Sequence, residues 1–176
     1  MSRYSCSSVA LATIVREAGI HAEFIGASEV AVTGITQDSR LVQQGDLFCC
    51  VRGLLADGHA FADQAIRSGA SALLVEVVQP NVPSHVTQIV VPSVRDALGN
   101  VASAVFGHPS RVLQMIGVTG TNGKTSTAYI LSEILKAHGS TVLVIGTLTG
   151  ERTTNSRSDG SVIARACYGS CEWHFV

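Results

Sequence analysis

Residues 117–126, Gly-Val-Thr-Gly-Thr-Asn-Gly-Lys-Thr-Ser, decide how this chain is organised. An apolar, strand-like segment at 112–118 leads into them, and residues 127–138 repeat apolar side chains at helical spacing. A strand, a glycine-rich turn, a Lys-Thr pair and a helix in this order are typical of a phosphate-binding loop. The sequence therefore predicts a strand–loop–helix unit that binds nucleotide phosphates.

The residue types of this loop suit phosphate binding. Gly120 and Gly123 allow a tight backbone curl whose N–H groups point at phosphate oxygens, and the following helix adds the positive end of its dipole. The Lys124 ammonium can bridge the β- and γ-phosphates, and the Thr125 hydroxyl can ligate Mg²⁺. The strict pattern G-x-x-x-x-G-K-[ST] would need glycine where this chain has Val118. An ordinary glycine-rich turn therefore stays open as the alternative.

Composition favours an α/β protein of the cytoplasm. Hydrophobic residues make up 46% of the 176 positions and charged residues 14%, as in parallel sheets that are covered on both faces. The net charge of −1 and the lack of a basic run argue against nucleic acid as the main partner. No apolar run reaches the length that a membrane span requires. The odd number of cysteines, five, gives no disulfide framework and indicates a reducing compartment.

Strand and helix signals alternate along the chain, which predicts an α/β architecture. We expect an N-terminal helix that is capped by Ser7 or Ser8 and ended by Gly19, and a later helix that is capped by Ser93. The expected strands lie at 30–36, 47–51, 72–78, 88–91, 112–118 and 141–147, and the helices after the N-terminal one lie at 61–67, 93–106 and 127–138.

The residues His-Pro-Ser at 108–110 interrupt this alternation and mark the expected domain boundary. They give a first domain at residues 1–109 and the opening of a second domain at 110–154. The second part amounts to one β-α-β module, and such a module needs neighbouring strands to form a sheet. Residues 155–176 follow without clear periodicity.

Several further motifs follow one another in a recognisable order. They are Thr36-Gln-Asp-Ser-Arg40, Gly45-Asp-Leu-Phe48, Arg52-Gly53, Asp57-Gly-His-Ala-Phe61, Gly146-Thr147 and Arg152-Thr-Thr154. Together with the loop at 117–126 they resemble the Mur ligases, which build the peptide of bacterial peptidoglycan. The ATP loop of that family also lacks the strict first glycine. The motifs before residue 62 resemble the uridine-nucleotide-binding domain of the branch that adds the third amino acid.

This resemblance implies a fold and a reaction. The fold would be an N-terminal uridine-binding α/β domain followed by the first β-α-β unit of a P-loop ATPase domain. The reaction would use ATP and Mg²⁺ to join an amino acid, diaminopimelate or lysine, to UDP-N-acetylmuramoyl-L-alanyl-D-glutamate. The γ-phosphate of ATP would first convert the D-glutamyl carboxylate into an acyl phosphate, because a carboxylate is a poor electrophile.

The resemblance also assigns residues to these partners. Lys124 would act catalytically by neutralising the transferring phosphoryl group, and Mg²⁺ would bind at Thr125. Gln37 and Ser39 would contact the UDP end of the substrate, and Thr153 and Thr154 its muramoyl-peptide part. The ATP-binding residues would be Gly120, Thr121, Asn122, Gly123, Lys124, Thr125 and Ser126.

Two of the motifs also have a purely structural explanation. Taken alone, Asp38-Ser39-Arg40 is typical of a polar turn that an Asx-type hydrogen bond holds, and only the accompanying motifs favour a uridine site. Asp57-Gly58-His59 is likewise more often a turn, and we interpret it as structural. The six histidines are scattered without ligand spacing, so the sequence assigns none of them to a metal.

Residues 155–176 depart from the family pattern, which continues after the threonine pair with Pro-Glu and an amphipathic helix. We hypothesise that this segment is a frameshifted or artificial terminus. Cys167, Cys171 and His174 could bind a metal, but a fourth ligand is missing and we assign none. In that family, later elements would supply further ligands for Mg²⁺ and would bind the amino acid. We therefore expect this polypeptide alone to be an inactive fragment.

Two other functions stay open at this point. A stand-alone module could bind nucleotide or UDP-muramoyl peptide without catalysis. Folylpolyglutamate synthases share a similar ATP loop, but they lack the uridine-binding unit to which the motifs at 36–40 and 57–61 belong. The sequence does not decide between diaminopimelate and lysine.

Overall fold

The computed structural model describes residues 8–53, 56–145, 152–153 and 161–166 of the chain. The chain divides into two compact units, Met1–His108 and Pro109–Val176. In the described part of either unit, no helix is both long and apolar enough to cross a lipid bilayer. The motif at 146–147, Thr154 and most of the segment after it lie outside the described residues.

The first unit is built around one mostly parallel sheet. Its elements in chain order are β1 (Val9–Ala10), α1 (Leu11–Ala18), β2 (Glu23–Ile25), β3 (Ala31–Val32), β4 (Gly34–Thr36), β5 (Asp46–Cys49), α2 (Ala62–Arg67), β6 (Ala72–Val75), β7 (Thr87–Val90) and α3 (Val94–Val105). The sheet has five strands in the order β2-β7-β6-β5-β4, in which β4 to β7 run parallel and β2 is an antiparallel edge strand. β1 and β3 form a separate antiparallel pair. The expected α/β architecture is confirmed.

The core of this unit lies on both faces of the sheet, because successive strand residues point to opposite sides. Leu47 and Leu74 belong to a buried cluster that includes residues of α1 and α3. Their chain neighbours Phe48 and Leu73 belong to a second cluster, which includes residues of α2. All four side chains are fully buried. Burial on both faces explains why these strands read as continuous apolar runs.

Helix α1 begins later than the serine caps predicted. Its N-cap residue is Ala10 and no side chain caps it, because the two residues before the helix are paired with β3 as a strand. The predicted cap at Ser7 or Ser8 is therefore wrong. The predicted end at Gly19 is confirmed, since this glycine has a φ of 63° and its N–H donates to the Arg16 carbonyl oxygen at 3.2 Å.

The segment expected to form one strand at 30–36 forms two strands with different partners. β3 pairs with β1, whereas β4 pairs in parallel with β5. Between them, the Thr33 N–H donates to the Gly45 carbonyl oxygen at 2.9 Å. Apolar periodicity reports which side chains are buried and does not show a change of pairing partner. The short edge strand β2 also lacked a sequence signal that we recognised.

The second unit is a four-stranded sheet with one helix in its described part. After a 3₁₀ turn at Pro109–Arg111 its elements are β8 (Gln114–Val118), α4 (Lys124–Ala137), β9 (Thr141–Ile145), β10 (Arg152–Thr153) and β11 (Ser161–Ala166). The strand order is β10-β9-β11-β8; β11 is parallel to both neighbours and β10 is antiparallel to β9. The expected strand, helix and strand are confirmed.

Strand β11 was not predicted, and it lies between β8 and β9. Its residues read Ser-Val-Ile-Ala-Arg-Ala, a short apolar run that by itself is compatible with a strand or with a buried helix. Its pairing on both sides is what makes it a strand. The origin of residues 155–176 stays a prediction.

Helix α4 packs on one face of this sheet. Ala128, Val142 and Val144 are buried, and Ile116 and Leu135 pack against them. Ala128 comes from the helix and both valines come from β9, so the contact fixes α4 against the sheet. This packing holds the start of α4 near the end of β8 and so defines the ends of the loop that joins them.

Candidate functional site

The loop between β8 and α4 turns sharply at its two glycines. Gly120 has a φ of 146° and Gly123 a φ of 74°, conformations that residues with a side chain rarely adopt. A Cβ atom at Gly123 would meet nothing within 4 Å, so the backbone conformation is what favours glycine there. These two glycines give the loop the curl that a phosphate-binding turn requires.

Lys124 is the first residue of α4 and its side chain reaches back over the loop. The residue is 9% exposed, and Nζ donates to the carbonyl oxygen of Gly120 and, at 3.3 Å, to that of Thr121. An ammonium group carries three donors and no acceptor. The side chain therefore holds a positive charge inside the curl of the loop.

The N-terminus of α4 differs from that of α3 in what its backbone N–H groups meet. At α3, the Ser93 hydroxyl accepts from the Asp96 N–H at 3.2 Å, and the Glu76 carboxylate accepts from the Val94 N–H at 3.0 Å. At α4 the N-cap residue is Gly123 and no side chain caps the helix. A helix without a side-chain cap offers its first N–H groups to an anion, which its dipole also favours. Of the two helices, α4 is the one suited to receive a phosphate.

The remaining residues predicted to bind ATP lie in the same loop and in the first turn of α4. Thr121, Asn122 and Ser126 are exposed, and Thr125 is half-buried. A threonine hydroxyl is a hard oxygen donor of the type that Mg²⁺ accepts alongside phosphate oxygens and water. The donor chemistry of Thr125 therefore fits the predicted Mg²⁺ ligand, and residues 120–126 form one continuous candidate site.

In the first unit, the predicted substrate residues Gln37 and Ser39 follow β4 in a polar turn. The Arg40 N–H donates to Asp38 Oδ1 at 3.0 Å, which is the Asx-type hydrogen bond that the sequence suggested. Gln37 is exposed, whereas Ser39 is buried and its hydroxyl donates to Gln64 Oε1 at 3.1 Å. Gln37 is thus accessible to a ligand, and Ser39 ties the turn to α2.

The carboxylate in this turn is paired with the guanidinium two residues later. Arg40 Nε and Nη2 donate to the two carboxylate oxygens of Asp38 at 2.9 and 2.6 Å. The guanidinium hydrogen bonds, with the Arg40 backbone N–H, lower the pKa of Asp38 to about 2. The same pairing raises the pKa of Arg40. The turn is therefore a charge-paired element whose contact with uridine stays a prediction.

The other predicted substrate residues are only partly described. Thr153 lies in β10, where it is paired with Val142 of β9, and Thr154 lies outside the described residues. The cysteine and histidine cluster of the tail also lies outside them. Among the residues that the structure describes, no group of three or more His, Cys, Asp or Glu side chains converges as a metal site.

Four residues that the sequence did not connect form a closed ring in the first unit, through their side chains and one backbone N–H. Asp57 Oδ1 lies 2.6 Å from His59 Nδ1, and the backbone N–H of Glu76 donates to His59 Nε2 at 3.0 Å. Arg52 Nε lies 3.2 Å from Glu76 Oε2 and 3.5 Å from Asp57 Oδ2. Glu76 directly follows the buried strand β6. This position could have marked Glu76 as a candidate site residue in the sequence, because ligands of open α/β sheets bind at the carboxyl ends of strands.

Two family descriptions match this sequence, one in each unit. Residues 31–106 match "Mur ligase family, catalytic domain", and residues 118–166 match "Mur ligase middle domain". The second match includes β11 and so extends beyond residue 154. Matches of both descriptions in this order agree with the motifs from which the resemblance was inferred.

Curated relatives match a large part of this chain. It is 38% identical to the UDP-N-acetylmuramoyl-L-alanyl-D-glutamate–2,6-diaminopimelate ligase of Parabacteroides distasonis, over 86% of this chain and 33% of the relative. It is 46% identical to the ligase of the same name from Chlorobaculum tepidum, over 68% of this chain and 24% of the relative. The chain thus spans about a quarter to a third of the length of these relatives.

Solved structures agree with the fold. A structure of UDP-N-acetylmuramoyl-L-alanyl-D-glutamate–2,6-diaminopimelate ligase matches with a TM-score of 0.67 at 22% identity, over 92% of this chain and 36% of that one. The MurF ligase from Thermotoga maritima in complex with ADP matches with a TM-score of 0.54 at 29% identity, over 75% of this chain and 31% of that one. The first likeness supports the fold alone, and the second is to a protein solved with a nucleotide.

Proposed function

The chain belongs to the Mur ligase family, and we propose that it supplies UDP-substrate-binding and ATP-binding elements of an amide ligase in peptidoglycan precursor synthesis. The substrates would be UDP-N-acetylmuramoyl-L-alanyl-D-glutamate and an amino acid. The names of the relatives at 38% and 46% identity favour 2,6-diaminopimelate over lysine as that amino acid. The reaction would take place in the cytoplasm, where ATP is available.

The geometry at the start of α4 is the observation on which this proposal rests. The helix has no side-chain cap, its N-cap glycine has a φ of 74°, and the Lys124 ammonium lies within the preceding loop. Backbone donors, a helix dipole and a cation at one place form an anion site suited to the phosphates of ATP. The structure with ADP among the matching folds is consistent with a nucleotide at this site.

The proposed chemistry has two steps. A carboxylate oxygen of the D-glutamyl group attacks the γ-phosphorus of ATP, and the bond to the β-phosphate oxygen breaks, so that ADP leaves and an acyl phosphate forms. The amine of the amino acid then attacks the acyl carbon, phosphate leaves with the former carboxylate oxygen, and the amine loses a proton. ATP thereby replaces hydroxide, a poor leaving group, with phosphate.

Lys124 would act in the first step. Its ammonium would exchange its bonds with the loop carbonyls for bonds with phosphate oxygens and would offset the charge that builds up during transfer. Mg²⁺ bound with the help of the Thr125 hydroxyl would supply further charge neutralisation for the phosphates. The role of residues 120–126 is therefore to bind and orient the triphosphate.

In the first unit, the exposed Gln37 would contact the UDP end of the substrate. Ser39 is 8% exposed and is bonded to Gln64, so its contribution would be to fix the turn or, after a local rearrangement, to contact the ligand. Thr153 and Thr154 remain the proposed contacts of the muramoyl-peptide part. These assignments rest on the family motifs at those positions.

A combined binding and turnover experiment tests the proposal. The chain is titrated calorimetrically with UDP-N-acetylmuramoyl-L-alanyl-D-glutamate and with ATP–Mg²⁺, and phosphate release is followed with diaminopimelate or lysine present. We expect both nucleotides to bind and no turnover by this chain alone, because it spans only 24–33% of the relatives' length. Failure to bind either nucleotide would contradict the proposal.

A stand-alone binding module is the second candidate, because the first unit, which contains the predicted uridine residues, is a compact unit by itself. The two candidates predict different turnover when the remaining part of a related ligase is added as a separate polypeptide. Turnover that appears on mixing and disappears with Lys124→Ala would support a ligase. Tight binding of the UDP-substrate without turnover in any mixture would support the binding module.

A further inference from the structure

The ring formed by Arg52, Asp57, His59 and Glu76, here called the edge ring, joins three successive segments of the first unit. Arg52, Asp57 and His59 follow β5, and Glu76 follows β6. Glu76 Oε1 also accepts from the N–H of Val94, the first residue of α3, at 3.0 Å. The edge ring therefore connects the ends of two parallel strands with the start of the helix that follows the third.

The hydrogen bonds of the edge ring determine which ring nitrogen of His59 carries the proton. Its Nε2 accepts from the Glu76 backbone N–H at 3.0 Å, and a backbone N–H can only donate. Nε2 therefore carries no proton, and the proton of the neutral imidazole lies on Nδ1, 2.6 Å from Asp57 Oδ1. The backbone and ring N–H groups of His59 lower the pKa of Asp57, which agrees with this arrangement.

The Asp57–His59 pair resembles a catalytic dyad, but its geometry excludes that role. The nitrogen that would accept a proton as a general base is Nε2, which is already bonded to the Glu76 amide. The side chain of His59 is 9% exposed, so a substrate has little access to it. While both ring nitrogens are bonded inside the protein, the side chain positions its neighbours and has no free nitrogen to accept a proton from a substrate.

Two further contacts show that the edge ring holds a defined backbone path. The Arg95 guanidinium on α3 donates to the Arg52 carbonyl oxygen at 2.8 Å. A Cβ atom at Gly58 would lie 2.7 Å from both the backbone N and O of Val51, so the turn before His59 passes directly against the end of the preceding segment. The chain after β5 is thus fixed at both ends.

We propose that the edge ring is a positioning device for uridine nucleotide, which keeps the carboxyl edge of the first sheet ordered before the ligand arrives. This inference rests on the proposed function. The predicted uridine residues Gln37 and Ser39 follow β4, and the edge ring follows β5 and β6, the next two strands in the sheet. All of them lie at the same edge, because these strands are parallel. A preordered edge binds more tightly, since binding then has less ordering to impose.

Substitutions of His59 separate its two contacts. His59→Ala removes both, whereas His59→Gln can still accept from the Glu76 N–H through Oε1, because the glutamine oxygen reaches nearly as far as Nε2. We expect His59→Ala to bind UDP about tenfold more weakly than the unchanged chain, because UDP must then order the loop as it binds. The affinity of His59→Gln for UDP should stay within about threefold of that of the unchanged chain. Calorimetric titration with UDP measures both, at a temperature at which thermal unfolding shows each protein folded.

A second pair of variants covers the case in which His59→Ala does not fold. Arg52→Gln removes the two ion pairs of a side chain that is 54% exposed, so the fold should tolerate it. The matched control is Arg67→Gln, which removes an exposed arginine at the C-terminal end of α2, outside the edge ring. We expect Arg52→Gln to bind UDP several-fold more weakly, in line with the loss of partly exposed ion pairs. Arg67→Gln should bind UDP as tightly as the unchanged chain.

The outcomes distinguish this inference from the proposed function. If the unchanged chain binds UDP and the folded His59 and Arg52 variants bind it equally well, the edge ring is merely structural and the inference is wrong, while the proposed function stands. If the unchanged chain does not bind UDP, both are wrong. Ring ¹⁵N spectra give a ligand-independent check: we expect a protonated Nδ1 and an unprotonated Nε2 at His59, and a protonated Nε2 would overturn the inference.

Discussion

The two units of this chain bury their sheets in very different ways. The first unit has a buried cluster on each face of its sheet, and β5 and β6 are buried at every position. In the described part of the second unit, one helix packs on one face, where Val142 and Val144 are buried. On the opposite face, Met115 and Ile145 are 50% and 42% exposed.

This difference indicates how stability and function are distributed. Local stability follows the number of buried apolar contacts, so the first unit should carry most of the free energy of unfolding. The loop at 117–126 belongs to the second unit, and among the described residues of that unit a small cluster fixes α4 against the sheet. At equal saturation, ligand binding should therefore raise the free energy of unfolding of the second unit by a larger fraction than that of the first.

The largest expected loss in the free energy of unfolding comes from truncating the largest fully buried side chain described in the first unit. Phe48 is fully buried in the cluster next to α2, and Phe48→Ala should lower the free energy of unfolding by about 3–5 kcal/mol. Met115→Ala in the second unit, at a half-exposed position, should change it by less than about 0.5 kcal/mol. Urea unfolding followed by circular dichroism measures both. Equal losses would contradict the contrast between the units.

A matched pair of valines tests the contrast without changing the chemistry. Val75 is fully buried in β6, and Val144 is 7% exposed in β9. Val75→Ala should cost about 2 kcal/mol through lost burial and the resulting cavity. Val144→Ala should cost less than about 1 kcal/mol, because the thinly packed site has fewer contacts to lose. A larger loss at Val144, in the same urea unfolding experiment, would show that the second unit is the better packed of the two.

Removal of the loop lysine should affect only the nucleotide of the second unit. Lys124→Ala should weaken ATP–Mg²⁺ binding at least about tenfold, since a charge-assisted bond to phosphate is lost. Lys136→Ala, which removes a lysine from the other end of α4 where it pairs with Glu133 at 2.7 Å, is the matched control and should leave ATP binding unchanged. Calorimetry with UDP should give the same affinity for both variants. Unaltered ATP affinity in Lys124→Ala would locate the triphosphate elsewhere.

The smallest expected effect concerns pH and the turn after β4. The pKa of Asp38 is lowered from 3.8 to about 2 by Arg40, so its contribution to stability is present above pH about 4 and is lost as the pH falls toward about 2. The contribution should be below about 1 kcal/mol, because the pair is at the surface. A carboxyl ¹³C titration should show the low pKa and its return toward the ordinary value in Arg40→Gln. A pKa near 3.8 in the unchanged chain would contradict the pairing.

Local sequence signals predicted the parts of the structure that depend on local interactions. Ser93 caps α3 as expected, because its hydroxyl meets the N–H three residues later. Gly19 ends α1 because it adopts a positive φ. The tight turn before α4 was recognisable for the same reason, since Gly120, Gly123 and Lys124 lie within one short stretch, and phosphate binding there stays a proposal.

The parts that were missed depend on partners far away in the sequence. The edge ring joins the loop after β5 to Glu76, and its key bond runs from a backbone N–H to His59, which no residue pattern specifies. The hydrogen bond from Ser39 to Gln64, 25 residues away, likewise has no local sequence signal, and the contact of Ser39 with substrate stays a prediction. Strand β11 is defined by its pairing with two other strands, and its short apolar run could not reveal them.

The central claim is that the two units hold separate nucleotide sites, one for uridine and one for ATP. Amide ¹H–¹⁵N spectra of the whole chain, titrated separately with UDP and with ATP–Mg²⁺, test it most directly. The account predicts that UDP shifts the amides at 36–40 and leaves those at 120–126 in place, and that ATP–Mg²⁺ does the reverse. Shifts of the same set of amides by both nucleotides, or ATP–Mg²⁺ shifts confined to the first unit, would contradict it.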